Sequence, residues 1–500
     1  MDILDFYEKE VTDMNRKKIS SLLAASLFIG ALASCGGDGT ATTDESTDTT
    51  LPDSTTIEEF TKPDIKASLP TGDFGGTDFN FLLWEVSQIA ITEETGDIIN
   101  DAVFRRNSTV QEMYNVNFVY DVREGSSESG KPFIWMKTLR SSVMAGDNSY
   151  DLAGGYGYVL ASVSLEGVCS NLCEISSIDF TDPWWAQKSM EQAMIGDKVF
   201  MSIGEADPLY YDSLYAVYFN KRLADDLGTE DLYQTVRDGK WTLDKLIEIS
   251  ATVSSDLDGD GEMGENDRYG LLVGWTMAVD AFIPALDIEI TGKDADGIPR
   301  LLPLSERYID AQKKLDSFVH SNDAWYEGGL GVHVTPFMNG QGLFLTESIG
   351  KAHIMREMRD DFGILPYPKY DEAQESYQTY ICDGNTTGFS IPITADAEKS
   401  GMILNALNAL GMSDVRPEYY DRALKGKTAR DDDSVAMLDI IFNSISDDFT
   451  QFYAYCFGDQ ESPWMMMRGS ILNEKDLASL WASKQAKFDK TMEKLIDELK

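Results

Sequence analysis

The acids of one short segment have the spacing of a metal loop. Asp256, Asp258, Asp260, Gly261, Glu262, Met263 and Asp267 spell D-x-D-x-D-G with a further acid at the twelfth position. Oxygen ligands at positions one, three and five converge on a hard cation when glycine at six permits a sharp turn and position seven supplies a backbone carbonyl. The cation would be calcium, in a structural role, and no other cofactor is required. Asp267 replaces the usual Glu and has a shorter reach for two-oxygen contact, so an acidic solvated loop is the competing reading. A second set of residues is aromatic. Trp84, with Glu85 beside it, closes the first predicted strand, Tyr156 and Tyr158 follow a Gly154-Gly155 turn, and Trp275 follows the run Tyr269 to Leu272. Flat rings beyond strand ends stack on apolar sugar faces, and neighbouring carboxylates accept from hydroxyls. Core packing competes for every one of these rings.

Signals for covalent chemistry fail on inspection. Gly426-Lys427-Thr428 lacks the upstream glycine of a phosphate loop, because Asp421 stands there. Ser348 to Lys351 fits S-x-x-K without its partner motifs, and neither G-x-S-x-G nor H-E-x-x-H occurs. The 85 acids against 42 Lys plus Arg leave a net charge of -43 with no long basic stretch, which excludes a nucleic-acid reader. Five cysteines are too few for a disulfide framework, and three histidines disfavour hydrolytic zinc. Cys169 and Cys173 are compatible with a disulfide and equally with free thiols.

The elements that must position these residues read as α/β. Phe79 to Trp84 predicts a strand, and Ile98 to Tyr114 a helix with Ile99, Ala102, Val103, Val110 and Met113 at near-helical spacing. Val116, Phe118 and Tyr120 alternate as the next strand. A helix through Trp135, Leu139 and Val143 leads to the strand Tyr150 to Ala153, completing a βαβαβ opening of a mainly parallel sheet. Leu214 to Phe219 is a buried strand, Gly342 to Thr346, Phe362 to Leu365 and Phe389 to Ile391 are later ones, and Thr242 and Ser305 predict helix N-caps. Asp476 to Leu499 predicts an amphipathic helix.

The N-terminal segment is of another kind. Residues 1–13 are acidic and precede Met14, which reads as the start; Asn15 to Lys18 are followed by the apolar stretch Ile19 to Ala33, too short to span a bilayer. Leu32-Ala33-Ser34-Cys35 before a Gly/Asp-rich run resembles a bacterial lipoprotein signal, which implies that Cys35 carries a lipid and becomes the N-terminus. The Thr-, Asp- and Gly-rich residues that follow read as a flexible stalk holding the body near a membrane.

From about residue 75 the chain resembles the extracellular solute-binding proteins of the carbohydrate-uptake group, family 1, which includes maltose-binding protein. The resemblance rests on Asp182-Pro183-Trp184-Trp185, on Leu214 to Lys221, on Gly239 to Leu246 followed by the Asp256 loop and Tyr269-Gly270, and on Phe362 to Lys369, in that order behind a lipobox. It implies a two-lobe α/β fold of the periplasmic-binding type II kind, its lobes joined by crossings near Tyr215 to Asn220, Met338 to Phe344 and Gln378 to Gly388. The expected divisions are 1–34 leader, 35–72 stalk, 73–218 plus 341–378 first lobe, and 219–340 plus 379–500 second lobe. Trp84, Asp212, Trp275 and Trp464 occupy places comparable to sugar-contacting residues, and Asp383 and Asn385 are added on position. The implied function is a monomeric, membrane-anchored receptor that is not an enzyme and delivers a sugar or oligosaccharide to the permease subunits of an ABC importer. A secreted glycoside hydrolase or lyase, and a surface glycan-binding protein without a transporter, are the alternatives.

Overall fold

The computed structural model describes residues 65–125, 132–274, 276–326, 331–382, 386–424, 432–458 and 461–499. The leader, Cys35 and the stalk up to residue 64 lie outside them. Residues 65–72, expected as stalk, belong to the folded body. Ile65–Ser68 is a helical turn, Leu69 is buried, and Tyr114 Oη donates to the Pro70 carbonyl at 2.9 Å. No helix among the described residues is long and apolar enough to cross a membrane.

In chain order the described strands are β1 (Thr77–Trp84), β2 (Val116–Arg123), β3 (Leu152–Tyr156), β4 (Tyr215–Asn220), β5 (Tyr269–Val273), β6 (Thr291–Lys293), β7 (Pro299–Leu301), β8 (Ala324–Tyr326), β9 (Gly342–Ser348), β10 (Phe362–Leu365) and β11 (Thr387–Ser390). One sheet has the order β11-β3-β1-β2, with β1 parallel to both neighbours and β11 antiparallel to β3. A second has the order β10-β4-β9-β5-β8, antiparallel across β10-β4-β9 and parallel across β9-β5-β8. The expectation of mainly parallel strands therefore fits the first sheet better than the second.

Local chemistry accounts for the elements. β1 ends in the unbroken apolar run Phe81 to Trp84 because strands covered on both faces need no polar alternation; Phe79, Phe81, Leu82, Leu83 and Trp84 are all buried, and Phe81 meets Phe118 and Tyr120 at ring separations of 5.0 and 5.1 Å. Helix Ile98–Tyr114 starts at Asp97, whose carboxylate accepts from the Ile99 and Asn100 amides, and stops at Asn115 in the left-handed region. Thr242 and Ser305 cap their helices as expected, accepting from Lys245 N and Tyr308 N. In β3, Gly154 and Gly155 are required by their neighbours. A Cβ on Gly154 would lie 2.7 Å from the Phe389 ring, and one on Gly155 would lie 2.8 Å from the Trp135 ring.

Hydrogen bonding reassigns three strands. β9 and β10, expected with the first lobe, flank β4 in the second sheet, and β11, expected with the second lobe, is the edge of the first. Met338 to Phe344 is accordingly no crossing: helix Val334–Met338 leads into β9 inside the second sheet. The crossings are three segments lying side by side. Leu214 bridges Ile381 antiparallel, with Tyr215 N donating to Tyr380 O at 3.1 Å and Cys382 N to Ser213 O at 3.0 Å. Thr379 bridges Ile445 in parallel, with Thr379 N donating to Ser444 O at 2.8 Å and Ser446 N to Thr379 O at 2.9 Å.

The Gly155→Ala variant is expected to lose about 1–3 kcal/mol of stability by forcing the rigid Trp135 ring aside, read as a lowered urea midpoint at unchanged m-value. An unshifted midpoint would show that this contact does not constrain β3.

Candidate ligand-binding site at the strand ends

The carboxyl ends of β1 and β3 bring Trp84, Tyr156 and Tyr158 together, and the crossing segments add residues from the second lobe. Trp84 and Tyr156 rings are 5.5 Å apart at 32°, and Tyr156 lies 5.9 Å from Tyr158 and 6.3 Å from Tyr455. The Tyr158 and Tyr380 hydroxyls are 3.4 Å apart, Tyr380 meets Tyr215 at 5.5 Å, and it stacks on Trp464 at 6.0 Å and 18°. The result is a continuous aromatic run from the end of the first sheet, through the second crossing, to the start of β4. Trp84, Tyr158 and Trp464 are 2%, 4% and 1% exposed, whereas Tyr156 and Tyr455 are half-buried. The half-buried rings offer surface, and the buried ones do not.

A buried hydrogen-bond hub holds Trp84. Its Nε1 donates to Thr387 Oγ1 at 3.0 Å, and Thr387 donates to Asp207 Oδ2 at 2.7 Å. Asp207 also accepts from Ser87 Oγ at 2.6 Å and from the Gln88 and Leu209 amides. Burial pushes the Asp207 carboxyl up, and those hydrogen bonds oppose the rise. Gln88 continues the chain by donating from Nε2 to Asp212 Oδ2 at 3.1 Å, while Tyr419 Oη donates to the other Asp212 oxygen. Asp212 is thus tied to its own protein rather than presented bare. Glu85 is exposed, and its carboxylate accepts from Gly125 N.

Tyr215 Oη, Trp464 Nε1 and Glu347 Oε2 are among the buried polar atoms with no hydrogen-bond partner within the described residues. Glu347 stands at the end of β9, with Oε1 accepting from Ser348 N at 2.8 Å, and burial raises its carboxyl. Such atoms are costly unless water or a ligand satisfies them. Glu347, Asp207, Tyr215, Tyr380 and Tyr455 were not singled out from sequence. Tyr215 and Tyr380 lie in apolar runs that read as core, and the one available signal was a carboxylate inside the apolar run of β9. Trp275, Asp383 and Asn385 lie outside the described residues.

In the acidic loop, Asp256, Asp258 and Asp260 gather carboxylate oxygens within 4.8 Å of one another. Asp256 accepts from the Gly259 and Gly261 amides, which folds the turn. Glu262 and Asp267 do not join this cluster. Asp267 is buried with its two oxygens on the Leu257 and Gly264 amides at 2.8 and 2.7 Å, and those bonds hold its carboxyl below the ordinary value. The expected five-residue ligand set is therefore a three-residue cluster, since the position-twelve acid closes the loop backbone instead. Cys169 and Cys173 are free thiols and not joined to each other.

No protein-family model matches the sequence, and no curated protein matches it. Solved structures do match in fold. The sugar-binding protein MalE from Xanthomonas citri aligns over 83% of this chain and 98% of its own, at 10% identity and a TM-score of 0.56. UgpB from Mycobacterium tuberculosis, in complex with glycerophosphocholine, aligns over 84% and 99% at 15% identity and 0.53. An ABC substrate-binding protein from Listeria monocytogenes, in complex with cycloalternan, aligns over 83% and 99% at 13% identity and 0.50. The chain has the two-lobe α/β fold of these substrate-binding proteins.

Replacing Asp207 by Ala strands two hydroxyls and two amides at the foot of Trp84. The expected loss is about 3 kcal/mol in chemical denaturation; a loss within ~0.5 kcal/mol would remove the hub from the account.

Proposed function

We propose that this protein is an extracytoplasmic receptor that captures a sugar or oligosaccharide against the aromatic run and hands it to an ABC importer, tethered to the membrane by a lipid on Cys35. One observation carries the reading: rings from both lobes form a single file at the strand ends, beside buried polar atoms that no protein group satisfies. Rings contribute stacking area, and Tyr215, Trp464 and Glu347 contribute one hydroxyl, one N–H donor and one carboxylate oxygen for a polyhydroxylated guest. Tyr156 and Tyr455 make the first contact, and rotation about the paired crossing segments admits the solute to the deeper rings. Differential affinity for the closed state is sufficient to drive closure, so capture needs no covalent step. Two of the similar structures are described as sugar-binding or hold cycloalternan, whereas UgpB holds glycerophosphocholine. A small phosphodiester therefore belongs in the test panel beside the glycans. Delivery by a single copy of the chain to permease subunits completes the proposal.

Calorimetry of the full chain against that panel is expected to show micromolar binding of a glycan without turnover. Tyr156→Ala should weaken it about tenfold, or about 1.4 kcal/mol. Glycan hydrolysis, or binding of the phosphodiester alone, would overturn the reading.

We also propose a structural calcium at Asp256, Asp258 and Asp260, supported by the convergence of their oxygens on one point. Calcium at millimolar concentration is expected to raise the thermal midpoint by a few degrees, and Asp258→Asn to abolish the rise. Identical midpoints in calcium and in chelator would exclude the site.

A further inference from the structure

Beside Trp464 opens a recess of about 250 Å³ whose walls come from five separated parts of the chain, Gln378 and Trp464 among them. Helix Gln187–Ala193 supplies Lys188 and Glu191, the segment after helix Phe282–Ala285 supplies Asp287 and Glu289, and the chain just past the third crossing supplies Asp447 and Asp448. The two adjacent aspartates differ in what holds them. Asp448 is fully engaged: one oxygen accepts from Thr450 N and Oγ1, the other from Thr291 N and Oγ1, at 2.6 to 2.9 Å. Asp447 is only 6% exposed, yet neither of its oxygens has a hydrogen-bond partner among the described residues. The indole N–H of Trp464, in the same wall, is likewise unpartnered.

We propose that this recess is a subsite for an amino-sugar unit, with Asp447 receiving its ammonium group and Trp464 donating to a neighbouring hydroxyl. The proposal rests on the sugar-receptor reading above, because Trp464 belongs to both the recess and the aromatic run.

Charge selects the ligand class. Glu191, Asp287, Glu289, Asp447 and Asp448 line the recess with Lys188; Arg307 pairs with Asp287 at 4.0 Å and Lys293 lies beside Glu191, so acids still outnumber cations there and the recess disfavours anions. A metal ion is the weaker fit: among the described residues, Asp256, Asp258 and Asp260 are the one group of three or more acidic, His or Cys side chains that brings its ligand atoms within 4.8 Å, and no such group forms here. An ammonium needs only two or three acceptors at hydrogen-bond distance, and on a sugar ring it arrives with hydroxyls for the indole. Burial raises the Asp447 carboxyl and Asp448 beside it adds to the rise, while Ser189, Gln451 and the Ile381 backbone oppose it. A carboxyl raised in this way holds its proton more tightly than a free one. Seating an ammonium favours the ionised carboxylate, so that proton leaves to solvent as the ion pair forms.

Titration calorimetry of the full chain at pH 7 with glucosamine and with glucose, each in two buffers of different ionisation enthalpy, tests this. Glucosamine is expected to bind about tenfold tighter than glucose and to release a fraction of a proton. Asp447→Asn should abolish both the preference and the release while keeping affinity for the neutral glycan. Should Asp447→Asn fail to fold, Glu191→Gln and Glu289→Gln, both exposed at the rim, should each reduce the preference several-fold. Equal affinity for the two sugars, or a preference that survives in Asp447→Asn, overturns the subsite and leaves the receptor reading standing. Absence of all glycan binding overturns both.

Discussion

Two sheets that share no strand are held in one body by three extended segments whose backbone groups pair with one another. Ser213 to Tyr215 pairs with Tyr380 to Cys382, and Thr379 pairs with Ser444 to Ser446. This pairing is short, so it fixes where the lobes meet without welding them along their length. It also delivers the site. Tyr215 and Tyr380 stand in the paired segments themselves, and Asp447 follows directly on the third. Any rotation of one lobe against the other must move these groups relative to Trp84 and Tyr156, which are anchored at the ends of β1 and β3.

The polar groups around that junction divide into two kinds. Asp207, Asp212 and Asp448 are saturated by protein donors and act as struts: Asp207 locks Trp84 through Thr387, and Asp448 locks Thr291 to the helix Phe449–Phe452. Glu347, Tyr215, Trp464 and Asp447 are buried with unmet capacity. A folded chain bears such groups at a cost of roughly 1–3 kcal/mol apiece, which has a compensating gain when a bound molecule completes them. The separation of saturated struts from unsaturated atoms sets this junction apart from ordinary core and is what the proposed site rests on.

Charge sets a second condition. A net charge of -43 disfavours the approach of anions relative to neutral or cationic solutes at low ionic strength. Part of that acidity is used locally, as in the Asp256 loop, where backbone amides rather than cations hold most of the described carboxylate bonds.

Local pattern alone determined much of the fold. The apolar run of β1, the near-helical spacing from Ile98 to Tyr114, and the caps at Thr242 and Ser305 were legible because burial and capping act over a few residues, and the two-lobe α/β class followed from their order. The meeting of Trp84 with Tyr156 and Tyr158 was legible too, since consecutive parallel strands end on one side. Which sheet β9, β10 and β11 would join was not, because an apolar strand advertises burial without naming its partner, and each partner lies far away in sequence. For the same reason Tyr215 and Tyr380 read as core until the crossings brought them together. Asp267 read as a ligand by position until the backbone turned its two oxygens onto Leu257 and Gly264. Composition and spacing chose the elements, while long-range backbone pairing, which no local pattern encodes, chose which side chains stand together.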